Sequence, residues 1–390
     1  MAKASLRSFS DCCVIVFVTL FLPACREEVT VFTPEEEHKG QTEQTGYAGF
    51  YLLNEGNMGS NKATLDYYDY TTATYRRNIY AEANPSVPKE LGDVGNDLKI
   101  YGSRLYAVIN CSNKIEVMDS RTCSRIGQID VPNCRYLRFQ GQYGYVTSYA
   151  GPVEIRPDYT QLGYVARFDT ATLQVIDRCI VGYQPDELEI VGNKMYVANS
   201  GGYMVPNYEN TVSVIDLNSF TETGRITVAR NLHHLRKDRY DQLWVTSRGD
   251  YFGQPSRLYC IDTRTDQLID SVSVAVSNCC LDGDSLYIYS TEWSYLDYEN
   301  SITYAIVDVK SRKVVCNNFI TDGTDQLIKV PYGIMVNPVT KHIYVTDAKN
   351  YVTPGTLYCF SPDGKQLWSV RTGDIPAHFV LLETAGKAKQ

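Results

Sequence analysis

The chain has 390 residues, a formal net charge of −8 and ordinary globular composition, with 44% hydrophobic and 21% charged residues. That length supports a large core, and the acidic balance without a basic patch excludes a nucleic-acid partner. Tyrosine is the outlier, at 31 residues against 12 Phe and 3 Trp.

Residues 1–24 read as a signal peptide. Lys3 and Arg7 precede the apolar run "CCVIVFVTLFLPA", which is too short to span a bilayer. The run ends in "LPAC", which resembles a lipoprotein box and implies lipid on Cys25 after cleavage. Losing residues 1–24 removes two cations and one anion, leaving a mature charge of about −9. Residues 25–46 are polar and acidic, and read as a flexible, lipid-anchored tether. The "REE" after Cys25 is similar to the acidic export signal of surface lipoproteins in the Bacteroidota, which implies an outward-facing place on the outer membrane. Nine cysteines remain beyond Cys25, with no CxxC pair and no metal-ligand spacing. They read as mostly buried thiols in a compartment that permits one or two disulfides.

From residue 47 the chain repeats itself. One strand type recurs seven times: "GFYLLN", "RLYAVIN", "YGYVTS", "KMYVAN", "QLWVTS", "SLYIYS" and "HIYVTD". A second type follows each, ending in Asp69, Asp119, Asp169, Asp216, Asp262, Asp308 and, in the last repeat, Ser361. Their spacing of roughly 45–50 residues is the period of a propeller blade. A third strand follows each Asp after a polar turn. A fourth precedes the next repeat, as in "RYLRF", "PDELEI" and "PYGIMV". The first repeat lacks its fourth strand, and "IPAHFVLL" at 375–382 supplies it from the C-terminus. The fold class is therefore all-β: a seven-bladed β-propeller over 47–383, closed by a C-terminal strand in the first blade, with a flexible tail at 384–390. No stretch carries sustained helical periodicity.

The strands resemble those of the YVTN-repeat propellers, a family of extracytoplasmic seven-bladed proteins. The first blade, "NEGNMGSNKATLDYYD", is similar to that of lipid-anchored propellers from gut Bacteroidota. Some of those capture cobalamin at the cell surface and hand it to a TonB-dependent outer-membrane transporter. The resemblance implies the same partners here: a corrinoid or other bulky solute, a transporter, and the outer membrane.

The loops divide by face. Counted outward from the innermost strand of each blade, turns joining first to second and third to fourth strands are short. The second-to-third loops are long in six blades and rich in aromatics, and binding is expected on their face. They carry Tyr149, Tyr203, Arg248, Tyr251, Phe252, Trp293, Tyr295 and Tyr351. The starts of the innermost strands reach the same face and bring Arg135, Asp186, His233 and Tyr332, with Asn96, Asp97, Glu187, His234 and His378 beside them. His233 and His234 are adjacent and are expected to point opposite ways on a strand, so they form no ready metal pair. No HExxH, GxSxG or Walker pattern occurs. The expected function is capture without catalysis, cofactor or metal. A glycan-binding lipoprotein, a protein-interaction scaffold and a propeller lactonase-type hydrolase are the alternatives.

Overall fold

A computed structural model of the chain describes residues 35–43, 45–87, 91–294 and 299–384, with backbone alone at 293–294 and 299–300. The expected signal peptide, Cys25, Tyr295 and residues 385–390 lie outside them.

Seven antiparallel sheets form a closed ring. Each sheet runs from an innermost strand outward in chain order, as in blade two: Gly95–Tyr101, Arg104–Ile109, Lys114–Asp119 and Arg125–Asp130. The innermost strands of blades three to seven are Cys134–Gln140, Pro185–Val191, Leu232–Lys237, Asn278–Asp282 and Pro331–Val336. Blade one takes Pro376–Glu383 as its innermost strand, paired to Tyr47–Asn54 from Tyr47↔Glu383 to Asn54↔Pro376. The closure expected from "IPAHFVLL" is thus present, and Tyr47–Asn54 is not left as an edge.

The strand-ending aspartates explain their own recurrence. Asp119 Oδ1 accepts from the backbone N–H groups of Arg121 and Thr122, at 3.0 and 2.9 Å. Asp169 does the same for Ala171 and Thr172, and Asp216 for Asn218 and Ser219. Each carboxylate closes the tight turn that sends the chain into the outermost strand. In blade seven the Ser361 hydroxyl accepts from Lys365 N–H in its place.

Apolar packing lies between neighbouring blades, where much of the tyrosine excess is spent. Tyr51, Tyr68, Tyr75, Tyr106, Tyr196 and Tyr344 are fully buried. Several bury their rings while satisfying the hydroxyl: Tyr51 donates to Ser120 O at 2.8 Å, Tyr68 to Lys39 O at 2.6 Å, and Tyr75 to Asp66 Oδ2 at 2.8 Å. Gly163 and Gly355 open their strands where a Cβ would stand 2.2 and 2.4 Å from the rings of Pro185 and Pro376. The prolines starting two innermost strands therefore require glycine opposite.

Three expectations are corrected. The flexible tether over 25–46 ends by residue 35. Glu35–His38 adds a fifth strand to blade one, because Arg76 and Arg77 lie opposite its glutamates. Arg76 Nε meets Glu36 Oε1 at 2.8 Å, and Arg77 pairs with both Glu35 and Glu37. The strand expected after Asp69 in blade one stops at Arg77 and passes into a single-turn helix, Ile79–Ala83. In blade six the expected loop is instead a hairpin, with strands Ser285–Ser294 and Glu299–Asp308 paired to its tip. The nine cysteines beyond Cys25 are all free thiols, six of them buried.

Candidate functional site

An open cavity of about 790 Å3 occupies the end of the central channel where the second-to-third loops gather. That is within the usual range for small-molecule sites. Of the residues expected there, Arg135, Tyr203, His233, Arg248, Tyr251, Phe252, Tyr332 and Tyr351 line it. Asp186 and Tyr149 are buried and lie outside the lining, bound to residues that form it. Tyr295 is outside the described residues, and only the backbone of Trp293 is described.

The chain enters five innermost strands through a left-handed residue: Val94, Asn133, Gln184, Asn231 and Ile375, with φ between 42° and 60°. Asparagine tolerates this region, whereas a β-branched side chain is strained there. The two β-branched residues, Val94 and Ile375, both line the cavity. The strain sits at the lip, where chain direction is set by the ring rather than by local preference.

Two charge clusters rise from blade four. At the mouth, Asp186 is fully buried. Arg248 Nη1 donates to its Oδ2 at 2.9 Å, and the Tyr149 hydroxyl donates to Oδ1 at 2.5 Å. Arg135 Nε stands 3.4 Å from Oδ1, with its guanidinium 4.8 Å from the Tyr149 ring centre. Burial opposes the charge on both arginines, but Asp186 and the surrounding phenols keep them firmly protonated. Deeper in the channel, Glu187 accepts from Arg138 Nη2 at 2.7 Å, Arg236 Nη1 at 2.5 Å and His234 Nδ1 at 2.7 Å. Burial would raise this carboxyl, but Arg236 and Arg138 hold it well below the usual range.

The expectation that His233 and His234 point opposite ways is wrong. Their ring centres lie 3.6 Å apart and both line the cavity. The cause is a register shift between Leu232 and Leu235, which breaks the alternation of a regular strand. His233 Nε2 is hydrogen-bonded to the Tyr136 hydroxyl at 2.9 Å. Burial, then the nearby Arg248, pushes His233 well below its ordinary value. Burial also lowers His234, outweighing the pull of Glu187. Both rings are therefore neutral at pH 7. Among the described residues no group of three His, Cys, Asp or Glu is placed to hold a metal.

Sequence reasoning missed two carboxylates of the lining, Glu55 and Glu292. Glu55 accepts from Tyr332 Oη at 2.9 Å and pairs with His378 Nε2 at 3.0 Å. Glu292 accepts from the Ser256 amide at 3.0 Å and from its hydroxyl. Glu55 stood in a second-to-third loop, which was the available signal. Cys111 also lines the cavity, from the one loop set aside as short.

Fold and cavity together define a seven-bladed propeller with a ligand-sized mouth on its loop face. The chain belongs to the DUF5074 family, a domain of unknown function whose pattern matches residues 48–367. No curated protein matches the sequence. Among solved structures it is similar to a hypothetical selenium-binding protein from Sulfolobus tokodaii, at 11% identity and TM-score 0.61, over 88% of this chain and 95% of that one. It is also similar to a quinonprotein alcohol dehydrogenase-like protein from Bacteroides thetaiotaomicron, at 15% identity and TM-score 0.56, over 87% and 79%. Kuenenia stuttgartiensis hydrazine synthase matches at 14% identity and TM-score 0.56, over 75% and 96%. At these identities the likeness is one of fold.

Proposed function

We propose that this propeller is a capture protein: it binds a bulky solute in the mouth cavity and passes it to a TonB-dependent transporter. In this reading it is held at the outer membrane by lipid on Cys25 and faces the cell exterior. The first candidate ligand is a corrinoid, on the strength of the first-blade sequence. The observation that carries the reading is the rim. Tyr203 comes from blade four, Tyr251 and Phe252 from blade five, and Tyr332 and Tyr351 from blade seven, around one cavity of about 790 Å3. Tyr251, Phe252 and Tyr351 are exposed, at 45%, 65% and 43%. Rings from three blades can close on one flat-sided ligand, and the polar groups between them suit its amide fringe. Capture asks for no reacting group.

Calorimetry with cyanocobalamin tests this. The parent is expected to bind, with Tyr251→Ala and Tyr203→Ala each weakening affinity about ten- to a hundredfold. Tyr240→Ala, in a turn of the opposite face, leaves affinity unchanged. No binding by the parent removes the corrinoid and makes a glycan array the next assay. Weakening by Tyr240→Ala alone puts the site at the wrong end of the channel. Separately, Cys25→Ser is expected to release the protein from membranes.

A further inference from the structure

The arginines of the two charge clusters differ in how far they are satisfied. In the deeper cluster, Arg138 donates through all three nitrogens: to Glu189 at 3.1 Å, to Leu137 O at 2.7 Å and to Glu187. Arg236 donates to Cys279 O at 3.2 Å, to Leu235 O at 2.8 Å and to Glu187. Neither lines the cavity. At the mouth, Arg135 makes no hydrogen bond from its guanidinium to any described residue, and its buried Nε has only the ion pair with Asp186 at 3.4 Å. Arg248 spends one nitrogen, on Asp186. Both line the cavity, with side chains only 18% and 25% exposed. A guanidinium carries five N–H donors in a rigid fork, and leaving them unmet in a half-buried site is costly.

Charge points the same way. Two guanidinium groups face one carboxylate, Asp186, which leaves this wall at +1. The neighbouring histidines add nothing, being neutral. Elsewhere in the lining, each Glu55 oxygen already has a partner, and Glu292 accepts from Ser256 through Oε1. The unmet capacity of this wall is therefore cationic and donating, in a chain whose net charge is −8. Close by are rings suited to an attached apolar body: Tyr203 in edge contact with Tyr149 at 6.2 Å, and Tyr251 from the loop that Arg248 begins.

We propose that the captured ligand carries an oxyanion, a carboxylate or phosphate group, seated between Arg135 and Arg248 with its ring or apolar body against Tyr203 and Tyr251. Arg forks match such groups bidentately, and partial burial spares the contact from much of the screening by salt. The inference rests on the capture reading for its cavity and names the chemistry that the cavity selects.

The probes are phenyl phosphate, benzoate and phenol, titrated against the full chain by saturation-transfer NMR and calorimetry. Both anions are expected to bind saturably, and phenol at least about tenfold more weakly. Arg248→Gln keeps a donor for Asp186 and is expected to weaken anion binding about ten- to a hundredfold with little change in melting temperature. Arg248→Lys, keeping charge but losing the fork, falls between. Asp186→Asn removes the opposing charge and is expected to tighten anion binding, a sign that general damage to the site would not produce. Phenyl phosphate outbinding benzoate assigns a phosphoryl ligand, and the reverse a carboxylate. The proposal is overturned when neither anion binds saturably, when phenol binds as well as they do, or when Arg248→Gln changes nothing. Cyanocobalamin, which carries a phosphodiester, is run alongside. Binding that ignores Arg248→Gln sinks the oxyanion cradle and leaves capture standing. Arginine-dependent binding of the small anions without cyanocobalamin binding sinks the corrinoid and leaves the cradle.

Discussion

Asp186 and Glu187 are consecutive residues, both buried and each flanked by two arginines, yet they build different things. Around Glu187 every charge is answered. Arg138 ties blade three to blade four, and Arg236 and His234 tie blade four to blade five. Around Asp186 the carboxylate is answered and the arginines are not. The same residue types on one strand thus give a structural knot at depth and an unfinished site at the mouth. Composition does not separate them; the count of satisfied donors does.

The largest expected effect tests the knot. Glu187→Gln leaves Arg138 and Arg236 without their shared counter-charge in the channel interior. Breaking a buried pair by removing one partner costs about 3–5 kcal/mol. Chemical denaturation should show that loss, while Asp186→Asn should cost well under half as much, because Arg248 and Arg135 border the open cavity. Equal losses would erase the distinction between mouth and knot.

Acid should dissolve the knot in two stages. His233 and His234 are held below their ordinary value of 6.5, so the unfolded chain takes up their protons first as pH falls. Their contribution is full above pH 6.5 and declines below it. Glu187 is held well below 4.5, so its contribution is full above that value and is lost as pH falls further. Melting temperature against pH should bend downward near 6.5 and steepen near 4.5. Glu187→Gln should make the second bend shallower and leave much of the first.

The fold was legible because each blade repeats its own rule. The strand-ending aspartates mark turns that need a side-chain acceptor, and the missing fourth strand of blade one pointed to 375–382. The face of the site was legible because loop length alone reveals it. The histidine pair was not, since a register shift at Leu232–Leu235 breaks the alternation on which the reading depended. Nor was the ordered strand at Glu35–His38, whose acidic sequence looks like tether until Arg76 and Arg77 are placed opposite it. Whether an arginine is spent depends on carbonyls such as Leu137 O and Cys279 O, brought near by packing and invisible in a pattern of residue types.

The smallest expected effect comes from the turn caps on the plain face, where charge is neither buried nor networked. Asp216 Oδ1 accepts from Asn218 N–H at 3.0 Å and from Ser219 N–H at 2.9 Å, in a fully solvated turn. These bonds hold its carboxyl below the ordinary value. The cap works through geometry, so Asp216→Asn keeps an acceptor in place and should leave the melting temperature nearly unchanged. Asp216→Ala removes the acceptor and frees two amides, but water reaches both, so the loss should be no more than a few degrees. Neither change should touch anion or cyanocobalamin affinity, since the turn lies at the far end of blade four from the cavity. A loss from Asp216→Ala as large as that from Glu187→Gln would mean that the repeated turns, rather than the charge knot, hold the ring together.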